Sequence, residues 1–282
     1  MYFNVIYIGS SGKGCDYIHC HGDFNVVAVI CQKKMVNDEL LKCCYLRGIP
    51  LYEIELHKEI TEILEKNKGA FDFAIMHIFG IILKKEILDN FKIYNIHLGY
   101  LPFYKGRNST FYATMDGKKE IGISLHEVTS GIDEGLIISR RLIPYYFWMG
   151  EIALRENMLC QIPDLLNDFY NYLTDVNYKP LQNNKQNYYP PIQTSLLEID
   201  ENTPVRDIIN ITRSQETYAG ARFKYKDVIY LIKGVTVSLF NTLDLEVLQI
   251  MNNVLLQSGK PIGMKINDKY FLKFDNSTNL LT

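Results

Sequence analysis

Asn95, His97 and Asp133 are the residues of this 282-residue chain whose types and setting could carry a reaction. Asn95-Ile96-His97 ends an apolar run that reads as a strand, and strand alternation puts the amide and the imidazole on one face. In open α/β sheets, ligands bind at the carboxyl ends of the strands. Further on, Ser130-Gly131-Ile132-Asp133-Glu134-Gly135 sets a carboxylate in a glycine-flanked loop. An amide donating to an oxyanion, an imidazole base and a carboxylate that orients the base suit acyl transfer. Each also has an ordinary structural reading: a strand-end amide, a buried histidine and a turn residue.

Other clusters carry less. Gly9-Ser10-Ser11-Gly12-Lys13-Gly14 fits neither Gly-x-Gly-x-x-Gly nor a P-loop, and reads as a tight strand-to-helix turn. His19-Cys20-His21 is nearly contiguous and has no fourth ligand at a recognisable spacing, so no metal is expected. His57 reads as exposed. His77 and His126 fall in strand-like runs and read as core or supporting residues. The six cysteines form no Cys-x-x-Cys pair and are read as reduced thiols of a cytoplasmic protein.

The elements that must position these groups follow from periodicity. Residues 2–8, 24–31, 51–54, 71–78 and 93–98 are apolar, strand-like runs. Helical spacing separates them at 38–46, 60–66 and 84–91, the first stopped by Gly48-Ile49-Pro50. Such alternation builds a mostly parallel α/β sheet with helices on both faces. Then come a helix at 109–115, strands at 122–128 and 136–143, and one long helix at 151–172. Residues 174–191, rich in Asn, Gln, Tyr and Pro, read as a linker or surface loop. A helix at 205–212 and strand-like runs at 228–233, 235–240 and 270–274 point to a small mixed or mostly β C-terminal domain. The expected division is 1–173, 174–192 and 193–282.

Composition narrows the class. Hydrophobic residues make up 47% and charged residues 22%, which excludes a mainly disordered chain. A formal net charge of -2 argues against a basic nucleic-acid cradle. The N-terminus lacks the basic start of a signal peptide, and no apolar run is long enough to span a membrane, so no membrane partner is expected.

Taken in order, Asn95-x-His97, the turn ending in Leu101-Pro102, Gly106-Arg107-Asn108, Gly122-Ile123-Ser124-Leu125-His126 and Gly131-Ile132-Asp133-Glu134-Gly135 resemble the formyltransferases that use 10-formyltetrahydrofolate. The resemblance covers roughly the first half of the chain and implies a Rossmann-like fold. It implies that Asn95 hydrogen-bonds the formyl oxygen, that His97 moves a proton as an amine attacks, and that Asp133 holds His97 or an ordered water. Met76, His77, Ile78, Phe79 and Gly80 resemble the family's folate wall, where backbone groups meet the pterin, and Ile132 lies in the segment resembling its other side. The family usually has Ser where Gly99 stands and Leu where Tyr100 stands.

For the acceptor, Tyr218-Ala219-Gly220-Ala221-Arg222-Phe223-Lys224-Tyr225 resembles a segment of sugar N-formyltransferases. From residue 191 onward there are ten basic and ten acidic residues, where a tRNA cradle should be positive. The expected acceptor is therefore the amine of a nucleotide-linked amino deoxysugar, such as a dTDP-amino-dideoxyhexose, serving surface-glycan (lipopolysaccharide O-antigen) biosynthesis. Lys105, Arg107 and Asn108 are the candidate contacts to it. Alternatives are a methionyl-tRNA formyltransferase, a formyltetrahydrofolate hydrolase, which usually carries a regulatory domain ahead of the strand that here starts at Tyr2, and a silent binding protein. The resemblance further implies a homodimer through the C-terminal domain.

Overall fold

The computed structural model describes residues 2–117, 121–146, 149–184, 188–216, 220–239, 248–251, 253–258, 260–275 and 278–280. The chain forms two compact units. One comprises 1–106, 120–144 and 155–189, the other 107–119, 145–154 and 190–282. These are not the consecutive segments expected from the sequence: residues 174–189 fold with the first unit, and two upstream pieces fold with the second.

In chain order the elements are β1 (Phe3–Gly9), α1 (Gly12–His19), β2 (Phe24–Gln32), α2 (Asp38–Arg47), β3 (Leu51–Ile54), α3 (His57–Lys66), β4 (Phe73–His77), α4 (Lys85–Asn90), β5 (Ile93–His97), β6 (Lys105–Gly106), α5 (Ser109–Asp116), β7 (Ile121–Glu127), β8 (Ile137–Ile143), α6 (Glu151–Leu159), α7 (Ile162–Thr174) and β9 (Tyr188–Tyr189). The main sheet of the first unit has the order β3-β2-β1-β4-β5-β7-β8. Its first five strands are parallel, and β7 and β8 return antiparallel.

The continuous buried run Val5–Gly9 shows why the sheet needs cover on both sides. On one face Ile6, Ile8, Ile30, Ala74 and Ile93 pack with Ile60 and Leu64 of α3 and Ile87 of α4. On the other, Phe169 of α7 meets Tyr94 at 4.6 Å and Phe73 at 5.2 Å between ring centroids. The fold is thus the mostly parallel, Rossmann-like α/β sheet expected. The single helix expected over 151–172 is instead two helices, with Pro163 in the first turn of α7. Proline lacks an N–H and its ring clashes with the preceding turn, so it opens a helix but does not continue one. The apolar spacing on both sides of it hid the break.

The second unit holds α5, α8 (Val205–Ser214) and two small sheets. The strands are β10 (Glu198–Ile199), β11 (Ala221–Tyr225), β12 (Val228–Ile232), β13 (Gly234–Leu239), β14 (Leu248–Met251), β15 (Val254–Gln257), β16 (Lys260–Lys265), β17 (Tyr270–Asp275) and β18 (Thr278–Leu280). Their orders are β10-β11-β12-β18 and β13-β17-β16-β15-β14. Ile208, Phe223, Ile232, Leu272 and Phe274 form the core of this mostly β unit, and α5 packs on α8. Among the described residues no helix is long and apolar enough to cross a membrane.

Candidate active site

The carboxyl end of β5 builds the site. Asn95 and His97 share one face of the sheet and are both nearly buried, at 9% and 7% exposure. β7 runs antiparallel beside them in a register that pairs Asn95 with His126 and His97 with Ser124. The Asn95 amide Nδ2 lies 3.1 Å from His126 Nε2. The His126 Nδ1 lies 2.7 Å from the Glu127 carbonyl, which can only accept, so Nδ1 carries the proton. In the neutral ring, Nε2 then accepts from Asn95. In the charged ring, Nε2 donates to Asp133 Oδ1, 3.3 Å away. His97 Nε2 donates to the Tyr104 carbonyl at 2.8 Å, which leaves Nδ1 facing Asp133 Oδ2 at 3.6 Å.

The structure therefore brings Asn95, His97 and Asp133 together, and adds His126 between the first and the last. Sequence reading left His126 as a core or supporting residue. The antiparallel return of β7 beside β5 is what places it here, and no local pattern announces that register.

Asp133 sits in the left-handed region at φ 51°. The Gly106 N–H donates to its Oδ2 at 2.8 Å. Burial alone would raise this carboxyl, but the charge of His97, the His126 hydrogen bond and the Gly106 N–H outweigh it and hold the group well below the usual carboxylate range. A folded-state pKa that is depressed adds stability above the unfolded value of roughly 4, and that stability is lost as the pH falls through the lower folded value. The stability gap between the wild type and Asp133→Asn should thus be full at neutral pH and shrink on acidification. Urea unfolding at neutral and acid pH measures it, and a gap independent of pH would contradict it.

Gly99 has a local reason. A Cβ there would stand 2.5 Å from His97 Nε2 and 2.8 Å from its Cδ2, so the imidazole in this position requires glycine. Tyr100 is stacked by the Arg140 guanidinium, 4.5 Å from its ring centre, while Arg140 donates to the Leu101 carbonyl at 2.6 Å.

Of the other expected site residues, Met76 pairs with Asn95 and so shares its face, whereas His77 pairs with Ile96 and turns its ring to the opposite face. There His77 Nδ1 donates to the Ile96 carbonyl at 2.8 Å, and burial pushes the imidazole down to about 4, which leaves it neutral. Ile78, at φ 50°, is 37% exposed beyond the strand end, Phe79 is half-buried, and Gly80 donates to Gln32. Ile132 is 39% exposed beside Asp133. Lys105 is buried in the first unit. Arg107, exposed, and Asn108 belong to the second. Among the described residues no group of three or more His, Cys, Asp or Glu side chains could hold a metal.

An amide, an imidazole and a carboxylate thus meet at the end of a parallel strand, an arrangement that suits acyl transfer. Residues 15–146 match the family described as formyl transferase. The chain is 27% identical over 242 residues to the methionyl-tRNA formyltransferase of Fervidobacterium nodosum, covering 82% of this chain and 77% of that protein. It is 27% identical over 201 residues to that of a Sulfurihydrogenibium species, covering 70% and 63%. Among solved structures, HypX from Aquifex aeolicus in complex with tetrahydrofolic acid superposes with a TM-score of 0.67 at 15% identity, over 99% of this chain and 46% of that one. This chain therefore spans less than half of HypX. A sugar N-formyltransferase from a Shewanella species gives a TM-score of 0.63 at 20% identity, covering 80% of this chain and 94% of that one.

Proposed function

We propose that this enzyme moves a formyl group from 10-formyltetrahydrofolate to the amine of a nucleotide-linked amino deoxysugar, with Asn95, His97 and Asp133 in the roles the resemblance implies. The donor supplies an activated formyl carbon. The apolar wall at Ile78 and Phe79, beyond the end of the strand beside Asn95, suits a flat aromatic ring, with Ile132 on the loop of Asp133. Asn95 Nδ2 spends one N–H on His126 and has a second to donate to the formyl oxygen as negative charge grows there. His97 takes the proton that the attacking amine must lose, Asp133 stabilises the imidazolium that results, and a proton returns to N10 of the folate as its bond to the formyl carbon breaks. Lys105 is 2% exposed and its ammonium has no hydrogen-bond partner among the described residues. Burial without a counter-charge is costly, and an acceptor diphosphate would supply one.

The observation that carries the sugar reading is the charge balance of the C-terminal part, ten basic against ten acidic residues from 191 onward. The sequence likeness to methionyl-tRNA formyltransferases favours a second reading, a tRNA acceptor. The two differ in a measurable way. Transfer to a panel of nucleotide-linked amino sugars is expected, together with weak tRNA binding that changes little with salt. Tight tRNA binding that collapses as salt rises would reverse the choice, because phosphate neutralisation releases counterions. We place the reaction in the cytoplasm, where the six free thiols stay reduced. We also assign a symmetric dimer, with the edge strand β13 and its exposed Val237 facing a second copy.

A further inference from the structure

We infer that residues 181–184 and 188–189 brace the site, and that Asn183 is the positioning residue that fixes Asp133. The inference rests on the reading of Asp133 given above. Asn183 Nδ2 donates to the Asp133 carbonyl at 2.7 Å and to the Gly135 carbonyl at 2.9 Å. Asp133 has a left-handed backbone, which aspartate tolerates without preferring it. A side-chain amide reaching two carbonyls of that turn holds it there.

The same residues reach the groups that grip the carboxylate and the imidazole. Leu181 exchanges two backbone hydrogen bonds, 3.0 and 2.8 Å, with Ile137, the first residue of β8 after the loop. β9 pairs with β6, Tyr188 against Lys105 and Tyr189 against Gly106. The Tyr189 ring stacks on Tyr104 at 5.2 Å. The Tyr104 carbonyl holds His97 Nε2, and the Gly106 N–H holds Asp133 Oδ2. Leu181, Asn183, Tyr188 and Tyr189 thus secure the backbone of Asp133 and both main-chain groups that orient the pair. The His97–Asp133 separation of 3.6 Å is beyond hydrogen-bond length, so a small displacement decides whether the two groups couple.

Asn183→Ala removes both donations, and Asn183→Asp sets a carboxylate against two carbonyls in the same space. In each, kcat should fall by on the order of 10²-fold, the scale of an ångström misplacement, with little change in KM for 10-formyltetrahydrofolate. The Asp133 carboxyl, followed by carbon NMR, should titrate higher than in the wild type. Tyr178→Phe is the control. It deletes a 2.7 Å hydrogen bond to the Ile138 carbonyl from a residue upstream of the brace, away from the turn, and should leave kcat and the titration unchanged. A folded Asn183→Ala protein with wild-type kcat and titration overturns the inference, as does a Tyr178→Phe protein that matches it in both losses. Asp133→Asn, assayed alongside, separates the two levels. If it is inactive while Asn183→Ala is fully active, the brace alone fails. If it is fully active, the reading of the site fails and the brace with it.

Discussion

His97→Ala should lower turnover by about 10²–10⁴-fold, the usual worth of a positioned general base. The imidazole is held by the Tyr104 carbonyl on one side and faced by the Asp133 carboxylate on the other. No other imidazole takes its place. His126 has both nitrogens engaged, Nδ1 by the Glu127 carbonyl and Nε2 by the Asn95 amide, and His77 faces the far side of the sheet. Truncation removes a polar ring at the strand end and leaves the apolar faces untouched, so thermal unfolding should stay cooperative. Steady-state rates with both substrates, read beside a melting curve, check both halves of the expectation. A folded variant within a few-fold of wild type would remove His97 from the chemistry.

Asn95→Ala should cost on the order of 10²–10³ in kcat, as the loss of one oxyanion donor does. The effect should fall on kcat more than on KM, because the donated hydrogen bond strengthens only as charge reaches the formyl oxygen. Asn95→Asp is the sharper variant. It keeps the shape, exchanges the donor for an acceptor, and sets a second carboxylate within reach of Asp133 through His126. It should be at least as damaging as alanine. Activity retained in Asn95→Asp would mean that the oxygen is met by another group.

The first five strands, and the placing of Asn95 and His97 on one face, were legible because buried parallel strands are written as local apolar runs, and strand alternation fixes which side chains point together. Asp133 was legible from its glycine-flanked loop. His126 was not, since its place depends on the register of an antiparallel return, which the residues around it do not encode. The parts played by Tyr104 and Gly106 are main-chain contacts and leave no signature in residue type. Asn183 sits in a stretch of Asn, Gln and Tyr whose composition suits a loop. Pro163 was visible, yet the apolar spacing on either side of it reads as one helix. The expected 205–212 helix, by contrast, is present as α8 with its boundaries nearly as drawn. Of the segment likened to sugar formyltransferases, Tyr218 and Ala219 lie outside the described residues, as do residues 240–247 of the C-terminal domain through which a homodimer is expected.

The interleaving of the two units bears on how this chain can be taken apart. A cut near residue 190 looks natural in sequence, but it removes α8 and leaves behind the α5 that packs on it. Phe111, Tyr112 and Thr114, all buried in the whole protein, would meet water. The remaining two thirds would be prone to aggregate, and its loss of activity would say little about the site. Chimeras meet the same obstacle: swapping residues 190–282 alone pairs a foreign α8 with the native α5. A functional exchange of acceptor preference would have to carry 107–119, 145–154 and 190–282 as one module in three pieces.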